Sequence, residues 1–108
     1  MIVPSFSFIS TATPVIYVGA RPVFVDIEPK TCNADPEKVK EAVTKRTKAI
    51  IPVHLYGHPA DMDPILDVAE ENDLYVVEDA CQAHGAEYKG QKVGGIGDVA
   101  CLSFYPSK

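Results

Sequence analysis

Short apolar runs alternate with helix-start signals along the chain, and this alternation restricts the fold more than any other feature. The runs lie at residues 2–3, 22–27, 49–53, 74–77 and 99–104. Between them, the pairs Asp35-Pro36 and Asp63-Pro64 each place an N-cap residue before a proline that suits the first helical turn. Strands that alternate with helices predict an α/β fold with a mostly parallel sheet. We expect the runs to be its strands, with residues 22–27 buried.

A further helix is predicted for residues 7–18, ended by Gly19 in the C′ position. Pro14 lies inside this range, and a proline beyond the first turn of a helix costs about 3 kcal/mol. The helix is therefore expected either to begin late, near Thr13, or to be kinked there.

The last third of the chain is rich in glycine, and residues 86–93 predict a small hairpin that turns at Lys89-Gly90. Residues 54–59 predict a loop. Four or five strands with three helices do not cover both faces of a parallel sheet, although such sheets are normally covered on both sides. Because the first strand also looks shortened, we expect residues 1–108 to be part of a larger domain.

Composition excludes several classes of function. The chain has 108 residues, is 46% hydrophobic and carries a net charge of −5, without the clustered basic residues of a nucleic-acid surface. No apolar run approaches the roughly 20 residues that cross a bilayer, and the N-terminus does not resemble a signal peptide. Three cysteines without C-x-x-C spacing predict neither a disulfide framework nor a zinc site. We expect a cytoplasmic protein.

Two candidate catalytic residues follow apolar runs. Asp79 ends one run and Lys108 lies just beyond another. In an open parallel sheet, ligands bind outside the carboxyl ends of the strands. An amine and an acid at that edge fit pyridoxal 5′-phosphate (PLP) chemistry, because the amine forms a Schiff base while the acid keeps the pyridine nitrogen protonated. The alternatives are a helix N-cap or loop carboxylate for Asp79 and a solvated chain end for Lys108.

Other polar and aromatic side chains fall near the same edge. Ser103 and Ser107 are either phosphate contacts or ordinary strand-end serines. Gln82 is either a hydrogen-bond partner for a phenolic oxygen or a turn amide. Phe8 is either a ring that stacks on a planar cofactor or a core residue.

The remaining candidate motifs predict no metal or nucleotide site. The three histidines, His54, His58 and His84, lack carboxylate or cysteine partners at ligand spacing, so we assign no metal. Neither a G-x-G-x-x-G pattern nor a P-loop occurs, which disfavours a nucleotide-binding Rossmann module.

Five segments in a fixed order carry a specific resemblance. They cover residues 3–12, 19–26, 47–57, 78–86 and 103–108. With these segments the chain resembles the DegT/DnrJ/StrS family of sugar aminotransferases, which are fold-type I PLP enzymes. Cys81 stands where that family more often has alanine, a change that we expect to be neutral.

The resemblance implies a role for each matching residue. Lys108 matches the Schiff-base lysine, and Asp79 matches the acid that pairs with the pyridine nitrogen. Gln82 matches a residue beside the phenolic oxygen of the cofactor. Ser103 matches a phosphate-contacting serine, and Phe8 matches the aromatic residue that stacks on the ring.

The resemblance also implies the reaction and the partners. An amino group moves from glutamate or glutamine to a keto-sugar carried on a nucleoside diphosphate, and the product enters cell-surface polysaccharide or natural-product synthesis. The full-length proteins are expected to be homodimers. Some relatives carry histidine at the position of Lys108 and dehydrate the sugar instead, so a PLP-dependent dehydratase is an alternative that Lys108 disfavours.

The same resemblance implies that residues 1–108 are a partial PLP-binding large domain of three-layer α/β/α architecture. The family's phosphate loop would precede Met1, and its small domain would follow Lys108. Residues 1–108 alone are therefore expected to bind the cofactor poorly and to be inactive. The alternative is a truncated product with a structural or regulatory role.

Overall fold

The computed structural model describes residues 1–106, and their main feature is a five-stranded sheet with parallel neighbours. In chain order, the strands of the molecule are β1 (Ile2–Pro4), β2 (Val23–Val25), β3 (Ala49–Ile50), β4 (Tyr75–Asp79), β5 (Glu87–Tyr88), β6 (Gln91–Lys92) and β7 (Val99–Cys101). The large sheet has the order β2-β1-β3-β4-β7, and β5 and β6 form a separate antiparallel hairpin. The predicted α/β fold with a mostly parallel sheet is confirmed.

Within residues 1–106, three α-helices cover the sheet: α1 (Thr13–Tyr17), α2 (Pro36–Glu41) and α3 (Met62–Glu71). Ile2, Ile50 and Val76 pack in one apolar cluster with residues of α2 and α3. The next residue of each strand segment, Val3, Ile51 and Val77, belongs to a second cluster that includes α1. Because successive side chains of a strand point to opposite faces, α1 lies on one face of the sheet while α2 and α3 lie on the other.

The two Asp-Pro signals give different results. Asp35 caps α2 as predicted, and its carboxylate accepts a hydrogen bond from the Glu37 backbone N–H at 2.9 Å. Helix α3 begins at Met62, before the predicted Asp63, and Asp61 is its N-cap residue. The helix ends at Glu71, and Asn72 is its C-cap residue.

The first predicted helix is shorter than residues 7–18. A 3₁₀ turn at Ile9–Thr11 precedes α1, which begins at Thr13 and has Pro14 in its first turn. The late start is thus confirmed, and the continuous helix is wrong because Pro14 has no N–H to donate inside a longer helix. Gly19 follows the helix with a positive φ of 74°, as its C′ assignment requires.

The prediction of a buried strand at residues 22–27 is wrong in both extent and exposure. Only Val23–Val25 forms β2, in which Val23 and Phe24 are exposed and Val25 is buried. The reason is the position of β2, which has only one neighbouring strand and lies at one edge of the described sheet.

Other strand boundaries also differ from the predictions. Strand β3 stops at Ile50, two residues before Pro52, although Val53 still forms a single bridge with Asp79. Strand β4 extends to Asp79, and β7 ends at Cys101 instead of continuing to residue 104. The predicted hairpin turn is confirmed, whereas the predicted loop at residues 54–59 contains a 3₁₀ turn at Leu55–Gly57. None of the helices in residues 1–106 is long and apolar enough to cross a membrane.

Candidate active site

Asp79 ends β4 and lies on the α1 face of the sheet. Exposure alternates along this strand: Val76 and Glu78 are buried, while Val77 and Asp79 are partly exposed. Val77 packs with Val3 and Val15 on the α1 face, so Asp79, two residues later, projects from the same face. The carboxylate is thus delivered to the carboxyl edge of the parallel sheet, where ligands of such sheets bind.

Both oxygens of the Asp79 carboxylate accept hydrogen bonds. The Thr11 hydroxyl donates to Oδ2 at 2.7 Å, and the Cys81 backbone N–H donates to Oδ1 at 3.2 Å. Thr11 is itself buried, and its Oγ1 lies 2.8 Å from the hydroxyl oxygen of Ser7. These contacts fix the plane of a carboxylate that is only partly buried.

A cavity of about 550 Å³ opens beside Asp79, and four predicted cofactor-binding residues border it. Its walls are formed by Ser7, Phe8, Ser10, Thr11, Asp79, Cys81, Gln82, Ser103 and Tyr105. A volume of this size falls in the range of small-molecule and cofactor sites. The structure therefore brings Phe8, Asp79, Gln82 and Ser103 together around one space, although Phe8 and Ser103 come from opposite ends of the described chain.

The exposure of Phe8 contradicts its interpretation as a core residue. The Phe8 side chain is 65% exposed, so it is not a core residue of the described chain. Ser103 borders the cavity, and its hydroxyl also accepts a long 3.4 Å hydrogen bond from the Tyr105 backbone N–H. The other two predicted residues of this segment, Ser107 and Lys108, lie outside the described residues.

Gln82 is held by a backbone contact that the sequence did not reveal. Its side-chain oxygen accepts a 3.1 Å hydrogen bond from the Tyr56 backbone N–H. Tyr56 has a φ of 53°, which is uncommon for a non-glycine residue, and Gly57 follows with a φ of 83°. A side-chain amide whose oxygen is used in this way retains two N–H donors for a ligand.

Glu78, the residue before Asp79, is fully buried on the opposite face of β4. Its carboxylate accepts backbone hydrogen bonds from Gly94 at 2.7 Å, Ile96 at 2.8 Å and Gly97 at 2.7 Å. His54 Nε2 lies 3.0 Å from the same carboxylate. Because His54 Nδ1 accepts the Ala60 backbone N–H, Nε2 carries the ring proton that faces Glu78.

The hydrogen bonds around Glu78 decide its ionisation. Burial acts to raise the pKa of the Glu78 carboxyl, but the backbone N–H groups of Gly97, Gly94 and Ile96 and the His54 ring together lower this pKa below its ordinary value of 4.5. The buried group is thus held as a carboxylate.

The Glu78 cluster, defined here as Glu78, His54 and residues 94–97, lies on the other face of β4 from Asp79. It ties β4 to the glycine-rich loop before β7 and to the segment that contains Tyr56. Both ring nitrogens of His54 are used in these hydrogen bonds. Within residues 1–106, no group of three histidine, cysteine or acidic side chains is placed to hold a metal ion.

The sequence interpretation assigned no role to Thr11 or Glu78. The period of two along a strand was a usable signal for Glu78, because it places consecutive carboxylates on opposite faces. No comparable signal was present for Thr11, whose partner Asp79 is 68 residues away in the chain.

Comparison with known proteins now identifies the family. The model of the DegT/DnrJ/EryC1/StrS aminotransferase family matches residues 1–108. The chain belongs to this family. The resemblance inferred from the five ordered segments is thereby confirmed.

Three similar proteins illustrate the match. Over all 108 residues the chain is 54% identical to UDP-N-acetyl-3-dehydro-alpha-D-glucosamine 3-aminotransferase of Acidithiobacillus ferrooxidans, and it covers 29% of that protein. The solved structure of S. venezuelae DesV, in complex with a ketimine intermediate, matches 99% of the chain with a TM-score of 0.95 and 46% identity. Spr1654 of Streptococcus pneumoniae, solved in its PLP-form, matches 96% of the chain with a TM-score of 0.91 and 34% identity.

The chain spans less than a third of each of these proteins. It covers 29% of the Acidithiobacillus ferrooxidans protein, 29% of the DesV chain and 30% of the Spr1654 chain.

Proposed function

We propose that the natural polypeptide carrying these residues is a PLP-dependent aminotransferase that acts on a keto-sugar linked to a nucleoside diphosphate. The observation that carries the proposal is the cavity at the carboxyl edge of the sheet. It brings together Phe8, Asp79, Gln82 and Ser103, the residues to which the family resemblance assigns cofactor-binding roles. The names of similar proteins support the substrate class, since one relative is a UDP-sugar 3-aminotransferase.

The side chains around the cavity fit PLP. Asp79 offers a carboxylate whose two oxygens are already oriented by Thr11 and by the Cys81 N–H, which suits pairing with a protonated ring nitrogen. Phe8 presents an exposed aromatic ring for stacking, and Ser103 offers a hydroxyl to a phosphate. When bound, PLP supplies an electron sink for the carbanion chemistry of amino transfer.

We assign a separate role toward the cofactor to each of three residues of the chain. Asp79 would hold the proton on the pyridine nitrogen, because a neighbouring carboxylate favours the charged form of a base. Gln82 would donate an amide N–H to the phenolic oxygen, with its own carbonyl oxygen already held by Tyr56. Lys108 would provide the amine that holds the cofactor covalently, and the same amine would carry the proton that amino transfer moves.

The proposal also includes features that concern the whole polypeptide. The amino donor is glutamate or glutamine, and the enzyme works as a cytoplasmic homodimer in the synthesis of amino sugars for polysaccharides or natural products. Incubating the purified protein with glutamate and a panel of keto-sugar nucleotides tests the substrate class, with formation of an amino sugar as the expected result. Turnover of none of these sugars would contradict this part of the proposal.

The cofactor assignment is tested by trapping. The natural polypeptide is mixed with PLP, treated with borohydride and digested, and the labelled peptide is identified by mass spectrometry. We expect the label on Lys108 and its loss in Lys108→Ala, whereas Lys92→Ala, which removes an exposed lysine of the hairpin, retains it. A label of unchanged yield in Lys108→Ala would show that the assigned lysine is wrong.

A further inference from the structure

Thr11 is a buried polar residue that lies next to an apolar cluster. It is 7% exposed, and the next residue, Ala12, packs in the apolar cluster with Val3 and Val15. A valine has nearly the same shape as a threonine but does not require a buried hydrogen-bond partner. The hydroxyl is therefore not needed to fill space, and its partner is the most direct indication of its role.

That partner is Asp79. The Thr11 hydroxyl uses its only proton to donate to Asp79 Oδ2 at 2.7 Å. Since a hydroxyl has one proton, the 2.8 Å contact between Ser7 and Thr11 requires Ser7 to be the donor. The result is a directed chain of hydrogen bonds from Ser7 to Thr11 to Asp79.

The Ser7–Thr11 hydrogen-bond chain and the Cys81 backbone N–H reach different oxygens of Asp79. Thr11 binds Oδ2, and the Cys81 N–H binds Oδ1 at 3.2 Å. Two donors on two oxygens restrict rotation of the carboxylate about its terminal torsion, which is otherwise broad. The branched Thr11 side chain is itself stiff at χ1, so it provides a rigid support.

We propose that Thr11, supported by Ser7, is a positioning residue that fixes the carboxylate plane of Asp79 for the cofactor's ring nitrogen. This inference rests on the proposed function, because it assumes that Asp79 faces that nitrogen. It assigns Thr11 no direct contact with the cofactor. Its effect therefore depends on the nitrogen being present.

The test compares two cofactors in the natural polypeptide. One is PLP and the other is 1-deazapyridoxal phosphate, in which a carbon replaces the ring nitrogen. Dissociation constants are measured by absorbance for the unaltered protein, Thr11→Val and the hydroxyl-retaining control Thr11→Ser. Since a hydrogen bond to a charged group is lost, we expect Thr11→Val to weaken PLP binding by about tenfold. For the deaza analogue, the dissociation constant of Thr11→Val should be within about twofold of that of the unaltered protein. The dissociation constants of Thr11→Ser should stay close to those of the unaltered protein with both cofactors.

Two outcomes would overturn the positioning role. One is equal weakening of both cofactors by Thr11→Val, which would mean a general structural effect. The other is unaltered PLP binding in Thr11→Val. Ser7→Ala repeats the comparison at the partly exposed end of the hydrogen-bond chain, so the inference stays testable if Thr11→Val does not fold. A smaller loss specific to PLP supports the inference, and no loss opposes it.

Failure of the proposed function gives a different pattern. If Asp79→Ala leaves PLP binding unchanged, or if borohydride fixes no cofactor on Lys108, the assignment of the site is wrong. The proposed role of Thr11 is then wrong as well. If Asp79→Ala weakens binding while Thr11→Val does not, only the positioning role is wrong.

Discussion

Glu78 and Asp79 are neighbours in β4, yet their environments are opposites. Glu78 is 0% exposed and accepts hydrogen bonds from three backbone N–H groups and from His54. Asp79 borders a cavity and accepts one hydroxyl and one backbone hydrogen bond. The same chemical group thus occupies a closed, fully bonded position and an open, partly bonded one.

The difference separates a structural carboxylate from one that is available for chemistry. A carboxylate with its acceptor capacity filled holds its neighbours in place but has little left for a ligand. Asp79 is oriented by its two donors and still faces the cavity. We therefore expect substitution of Glu78 to affect mainly stability and substitution of Asp79 to affect mainly cofactor chemistry.

The largest expected effect is on stability. Glu78→Ala removes the acceptor of three backbone N–H groups and of the buried His54 ring, so we expect a loss of about 4 kcal/mol in the free energy of unfolding. Guanidinium unfolding followed by circular dichroism measures this loss. A change below about 1 kcal/mol would contradict the structural role of Glu78.

Asp79→Asn is the converse substitution. The side chain keeps its shape and an oxygen for Thr11, but a neutral amide no longer stabilises a protonated ring nitrogen. We expect amino transfer in the natural polypeptide to slow at least about 100-fold, with a loss of unfolding free energy well below that of Glu78→Ala. Single-turnover kinetics and unfolding on the same samples provide the comparison, which fails if Asp79→Asn retains full activity.

An intermediate effect is expected at Gly97, whose N–H binds Glu78. A Cβ added here would lie 2.8 Å from the Val76 carbonyl oxygen and 2.9 Å from Val76 Cγ1. Gly97→Ala should therefore cost about 2 kcal/mol. Gly95→Ala is the matched control in the same loop, because its nearest contact would be an ordinary 3.7 Å, and we expect less than about 0.5 kcal/mol. Equal effects on the unfolding midpoints would contradict the close packing of this loop against β4.

The smallest effect concerns pH. The pKa of Glu78 is lowered in the folded protein by the N–H groups of the loop and by His54, which outweigh burial. Its contribution to stability is therefore fully present above 4.5, the ordinary value, and is lost as the pH falls through the lower folded-state pKa. As the pH is lowered from above 4.5 to below it, the free energy of unfolding should fall less in Glu78→Gln than in the unaltered protein. Parallel curves would show that Glu78 does not contribute to acid sensitivity.

Local signals predicted the elements that depend on neighbouring residues. Asp35-Pro36 marked the start of α2, and Lys89-Gly90 marked the hairpin turn. The exposure of β2 was predicted wrongly because it depends on which strands flank it, and the order of strands is not encoded locally. Strand β3 was also shorter than its apolar run, which has Pro52 near its end.

The candidate site shows the same limit. Phe8, Asp79, Gln82 and Ser103 were found from strand ends and family segments, and the structure places them around one cavity. Their supporting contacts were not predictable, since the donors to Gln82, to one oxygen of Asp79 and, apart from the His54 ring, to Glu78 are backbone N–H groups. Such groups are present in nearly every residue and leave no mark in the sequence.

The parallel register of β4 has a consequence for how this gene segment can change. Val77, Glu78 and Asp79 pair with Val99, Ala100 and Cys101. Loss of one codon from the strand would shift the following side chains to the opposite faces, moving one carboxylate out of its ring of N–H groups and the other away from Thr11. Point substitutions can alter either carboxylate separately, whereas a one-residue deletion would disable both together.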